Sequence, residues 1–160
     1  MTDVARTYHP ATRFHQDYQL GEKFWTPGRT VTEADVVIYA MVSGDWSPPH
    51  TDADFAENVS PWGRRIAHGM LTTTVVAGLL SGRLGYMDGT GIAFAGLHFD
   101  LTLPVYIGDT IHCEVEITKH KPSSSKPERG FMEWSITVLN QHGEVVARGT
   151  WELVVARRPE

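Results

Sequence analysis

The sequence predicts a single α+β domain in which an antiparallel sheet carries one apolar helix across a face. Three observations lead there. Residues 70–84 form a helical stretch broken only by threonines, glycines, Ser81 and Arg83. From residue 92 onward the chain alternates with the two-residue period of strands. No internal repeat or long linker divides the 160 residues, which suffice for one substantial core. Helices and strands segregated in this way fit a sheet with one covered face.

The elements follow in order. The first 16 residues carry little apolar periodicity and read as an N-terminal arm or loosely ordered tail. Residues 22–31, with Phe24, Trp25 and Val31 around Pro27-Gly28, suggest a bent strand or short strand pair. Thr32 then precedes Glu33-Ala34-Asp35, the pattern of a capping box. The helix it starts is mainly apolar and ends at Ser43-Gly44, where glycine suits a left-handed stop. Pro48 and Pro49 forbid its continuation, so residues 45–50 are expected to be neither regular helix nor strand. Residues 52–58 fit one short helical piece and 60–63 a loop.

The helix that starts at His68-Gly69 is apolar on most sides, which predicts burial, and it ends around residues 82–85. Strands are expected at 92–103, 106–107, 110–118, 131–139 and 145–155. Within 131–139, Met132, Trp134, Ile136 and Val138 share one face. Residues 121–129, with three serines and two prolines, form an exposed hairpin loop, and Asn140-Gln141-His142-Gly143 a turn.

Composition narrows the function. A net charge of -5 and a pI near 5.9 argue against a nucleic-acid partner. The single Cys113 excludes an internal disulfide framework and a Cys-rich zinc site, and its strand-like surroundings predict a buried, inert thiol. The N-terminus lacks an apolar export core and residues 70–84 are too short to span a bilayer, so a cytoplasmic, non-membrane protein is expected. His98, His112, His120 and His142 do not converge by spacing, so no metal site is expected. The glycines between 78 and 91 spell no dinucleotide or phosphate loop.

Two segments can carry chemistry. In Ser43-Gly44-Asp45-Trp46-Ser47-Pro48-Pro49-His50, the glycine permits a sharp turn and the prolines stiffen the approach to His50. A carboxylate and an imidazole held toward one point can orient and deprotonate a water between them. Burial beside the apolar helix is expected to raise the Asp45 pKa toward a useful range. The same residues also fit a structural Asx turn and a structural histidine, and spacing alone leaves both open.

The second segment is Ile66-Ala67-His68-Gly69-Met70. Backbone N–H groups in a helix's first turn lack internal partners and favour negative charge. Gly69 admits close approach and is the best oxyanion donor, unless it serves only tight packing. His68 reads as a hydrogen-bonding residue at the helix start rather than a second base. Arg64, Arg65 and Arg83 flank this region and can meet anionic groups. Trp46 and Trp62 can each cap or line a pocket.

The run Tyr39-Ala40-Met41-Val42-Ser43-Gly44-Asp45-Trp46-Ser47-Pro48-Pro49-His50, followed by Ile66-Ala67-His68-Gly69-Met70-Leu71, resembles the MaoC-like dehydratases and (R)-specific enoyl-CoA hydratases. The resemblance covers residues 20–155 and implies a hotdog fold, with the sheet wrapped around the helix from His68. It implies a homodimer whose sheets run together, with the catalytic pair on a helical insertion at 32–62. By this resemblance Asp45 and His50 hold the water that adds to a trans-2-enoyl thioester, and the Gly69 N–H polarises the carbonyl. Ser47, His68 and Met70 are the expected substrate contacts. Coenzyme A belongs to the substrate, and no separate cofactor is expected. Two positions depart from the pattern: Ser47 stands where asparagine is usual, and Ala77 where some hydratases carry serine.

Two other functions fit the same fold. Thioesterases of this type commonly take a carboxylate from the central helix, and residues 70–84 contain none. A non-catalytic acyl-thioester-binding protein would place no demand on Asp45 and His50.

Overall fold

The computed structural model describes residues 12–83, 87 and 89–159. Its sheet is built from strands whose alternate residues are apolar. In β4 (Thr110–Pro122) Ile111, Cys113, Val115 and Ile117 point into the core, and in β5 (Arg129–Leu139) Met132, Trp134, Ile136 and Val138 do the same. The two strands pair antiparallel, and β6 (Val145–Ala156) returns along β5 through the turn after Leu139. β3 (Gly91–Leu101) precedes β4 in the chain but pairs with β6, so these four strands follow in the order β4-β5-β6-β3, with β3 at one end of the sheet. The short β1 (Lys23–Trp25) and β2 (Arg29–Thr30) both pair with β4, on either side of Pro27-Gly28.

Three strand expectations need correction. The expected strand 92–103 ends at Leu101, and residues 106–107 form no strand; Tyr106 makes only a bridge to Ile66. The strands β4 and β5 extend into the predicted loop, leaving 123–128 between them.

The long helix α4 (Gly69–Arg83) buries Leu71, Thr72, Val75, Val76, Leu79 and Leu80 in the core shared with β4, β5 and β6. Each such aliphatic side chain contributes about 1.5–3 kcal/mol relative to exposure. The opposite stripe, Met70, Thr74, Gly78 and Ser81, is open to solvent. The helix is therefore half-buried within one chain rather than surrounded, because two hydroxyls and a glycine on that stripe offer the sheet little to pack. The expected end near Leu84 and Gly85 lies outside the described residues.

The insertion between β2 and α4 holds three helices. α1 (Glu33–Ser43) starts at Thr32, whose backbone N–H donates to Asp35 Oδ2 at 2.8 Å while its hydroxyl accepts from the Asp35 N–H at 3.3 Å. It stops at Gly44, at φ 75°, where residues other than glycine are disfavoured. α2 (Pro48–Thr51) then corrects the expectation that residues 45–50 lack regular structure. Prolines fit a helix's first turn, where an N–H would have no internal partner anyway. α3 (Ala53–Asn58) is capped by Asp52, whose Oδ1 accepts from the Phe55 N–H at 3.0 Å.

Part of the supposed arm is packed. Thr12, Phe14 and His15 are buried, and the His15 ring stacks on His120 at 3.9 Å between centroids. Apolar periodicity could not reveal this, because a histidine and a threonine carry much of the packing. Residues 1–11 of that arm lie outside the described residues. Cys113 is fully buried, and burial pushes its thiol pKa up to about 12.

Candidate active site

α1 delivers its C-terminal residues, and the glycine stop after them turns the chain so that Asp45 faces the start of α4. The Asp45 Oδ1 accepts from the Ser47 hydroxyl at 2.5 Å and from the Ser47 N–H at 3.2 Å. This is the geometry of an Asx turn, so the structural reading of Asp45 is realised. It is compatible with chemistry, because the carboxylate stays in contact with solvent.

Two backbone carbonyls orient the imidazoles beside it. His50 sits on α2 with Nδ1 2.9 Å from the Ile66 carbonyl. A carbonyl only accepts, so Nδ1 carries a proton, and in the neutral ring Nε2 is the acceptor. His68, at the start of α4, places Nε2 2.9 Å from the Asp45 carbonyl and so donates from Nε2. Among the described residues its buried Nδ1 has no hydrogen-bond partner. The two rings lie 3.9 Å apart between centroids, tilted by 30°, and Tyr39 packs on the His68 ring at 4.9 Å. A carboxylate oxygen of Asp45 and a ring nitrogen from each histidine all fall within 4.8 Å of one another. Two imidazoles and a carboxylate are also donors that transition metals accept, a grouping that sequence spacing had not brought together.

Asp45 is not the raised carboxyl that burial would produce. The Ser47 hydroxyl, then the Ser47 N–H, hold its pKa below the ordinary carboxylate range, with smaller help from His68 and His50. The side chain stands at the outer side of the cluster, so desolvation loses to hydrogen bonding.

A cavity of about 210 Å³ opens on His50 and Gly69. Its other walls include Trp62, Thr72, Leu101 and Leu103. Hydrogen bonds from Ala67 N–H to the Val105 carbonyl (2.8 Å) and from Ile66 N–H to the Pro49 carbonyl (3.2 Å) draw these segments together. A Cβ at Gly69 would collide with Leu101 Cδ1, so glycine there lets the Leu101 side chain lie against the helix terminus.

The expected site residues thus divide. Asp45, His50 and His68 cluster, while His50 and Gly69 share the cavity. Ser47 acts on Asp45, and Met70 points into solvent, 63% exposed, on the outer stripe of α4. Trp62 lines the cavity, and Trp46 is exposed away from it. The Arg83 side chain lies outside what the structure describes. Thr72, Leu101 and Leu103 were missed. Helical spacing puts Thr72 one turn after His68, but only tertiary pairing brings 101–105 to the same wall.

The chain matches the family model of the MaoC like domain over residues 16–134. It is 33% identical over 136 residues to an (R)-specific enoyl-CoA hydratase of Aeromonas caviae, covering 83% of this chain and 96% of that protein. A crystal structure of a MaoC-like dehydratase from Rhodospirillum rubrum superposes with a TM-score of 0.79 at 30% identity, covering 92% of this chain and 99% of that one. A Mycobacterium tuberculosis protein described as a double hotdog fold superposes at 0.81 with 16% identity, covering 95% of this chain and 46% of that one, a likeness of fold alone. The fold is the hotdog fold, and the chain belongs to the MaoC-like domain family.

Proposed function

We propose that this protein is a hydro-lyase interconverting a trans-2-enoyl-CoA and a 3-hydroxyacyl-CoA, of R configuration. One observation carries the reading: the Asp45 carboxylate and a ring nitrogen of His50 lie within 4.8 Å, and His50 shares a cavity with the Gly69 terminus of α4. The named activity of the Aeromonas caviae relative supports it.

The residues divide the labour as follows. Asp45, held as a carboxylate by Ser47, is too weak a base to keep a proton and serves to orient water through a hydrogen bond. His50, with its Nδ1 proton committed to Ile66, takes the water's proton at Nε2. The oxygen bonds to the β-carbon while the π electrons shift toward the thioester carbonyl. The Gly69 N–H, at the positive end of α4, stabilises the resulting enolate oxygen. His50 then returns the proton to the α-carbon, and dehydration reverses each step. Water and thioester balance the reaction, so the reading calls on no cofactor and no metal.

The reading extends to a homodimer paired through β3. That strand sits at one end of the sheet order with Ile92, Phe94 and Leu97 exposed, a long apolar edge suited to a second copy. No helix among the described residues is long and apolar enough to cross a membrane. A reducing cytoplasmic setting suits the free Cys113. Absorbance of a conjugated enoyl thioester should fall on addition of enzyme without release of free thiol; thiol release instead would identify a thioesterase.

A further inference from the structure

Beside the catalytic cavity lies a broad groove of about 400 Å³, lined by Glu33, Ala53, Glu57, Arg64, Arg65 and Ile107 among others. The two hollows share one segment. Trp62 and Ile66 face the catalytic cavity, while Gly63, Arg64 and Arg65 face the groove. Arg65 is spent locally, since its two terminal nitrogens donate to the two Glu33 carboxylate oxygens at 2.8 and 2.6 Å.

Arg64 is held differently. Its guanidinium stacks 3.9 Å above the Tyr106 ring, and the Tyr106 hydroxyl donates to the Trp62 carbonyl at 3.4 Å. Stacking uses the face of the guanidinium and leaves its edge donors directed outward. Among the described residues no ion pair neutralises Arg64, and the remaining charge in the groove is the exposed Glu57.

We propose that Arg64 is the phosphate-binding residue for the carrier of the thioester, resting on the hydratase reading above. Carriers of such thioesters end in a phosphorylated pantetheine arm, either in coenzyme A or on a carrier protein. Arg64 offers a bidentate fork for a phosphate in the hollow next to the one that takes the reacting end. Glu57 opposes the same phosphate and limits its affinity.

Calorimetric binding of coenzyme A and of unphosphorylated pantetheine separates this from a structural role. Arg64→Ala should weaken coenzyme A by about fivefold at low ionic strength, with less effect at high salt. Arg64→Lys should restore only part of the loss, through charge without the bidentate fork, and Glu57→Gln should tighten coenzyme A. Pantetheine affinity should not follow these changes. Turnover of matched enoyl thioesters then distinguishes the source: a larger KM rise with coenzyme A assigns its nucleotide phosphates, and an equal rise with a carrier protein assigns the pantetheine phosphate that both carry. Equal loss of coenzyme A and pantetheine binding in Arg64→Ala, or no loss of either, overturns the proposal. If no enoyl thioester is hydrated, the reaction falls while the binding comparison still decides the role of Arg64.

Discussion

His68 donates from Nε2 to the main-chain carbonyl of Asp45 at 2.9 Å while its ring rests on that of His50. One buried side chain at the start of α4 therefore touches both members of the proposed catalytic pair. His68→Phe preserves a ring for packing but removes the donor. Loss of one such hydrogen bond, about 1 kcal/mol, should lower kcat by roughly fivefold with little change in KM. Steady-state kinetics on the folded variant checks the split; a change confined to KM would show that His68 touches substrate instead.

Ser47 sets the charge of Asp45. Its hydroxyl and N–H hold the carboxyl pKa low, so the active carboxylate is lost only when the pH falls through that depressed value. In Ser47→Ala the Asp45 pKa should rise toward the ordinary carboxylate range, read directly from the pH dependence of its carboxyl carbon resonance. Ser47→Asn should reverse part of this shift. An Asp45 titration unmoved in Ser47→Ala would mean that Ser47 does not set its charge.

The α1 cap anchors the segment that presents Asp45. Thr32→Ala removes one half of the capping box, at a cost of about 1 kcal/mol. For a domain of this size that should lower Tm by about 2–4 °C, read by calorimetry.

Cys113 has a pKa pushed up to about 12 by burial beneath the sheet. A thiol reagent should label it only after unfolding. Stoichiometric labelling of the native protein would show that β4 opens readily.

Much of this architecture is legible in sequence because its periodicities are local. The alternation in 131–139 puts Met132, Trp134, Ile136 and Val138 in the core, and Thr32 and Gly44 mark both ends of α1. The Asp45 and His50 pair is legible through its motif. What escapes depends on tertiary approach. The pairing of β3 with β6 skips two strands, and the cavity wall at Leu101 and Leu103 forms only when Ala67 meets Val105. The sign of the Asp45 shift escapes the sequence because the Ser47 hydroxyl, two residues away, outweighs the small desolvation of a carboxylate in contact with solvent.

The central claim is that Asp45 and His50 together activate the water that adds to an enoyl thioester. The most direct measurement is the decay of enoyl-thioester absorbance with the wild type, Asp45→Asn and His50→Ala, each verified as folded. The account predicts hydration by the wild type and a loss of about 10²–10⁴-fold in kcat for either variant. Full activity in a folded Asp45→Asn or His50→Ala protein would contradict it.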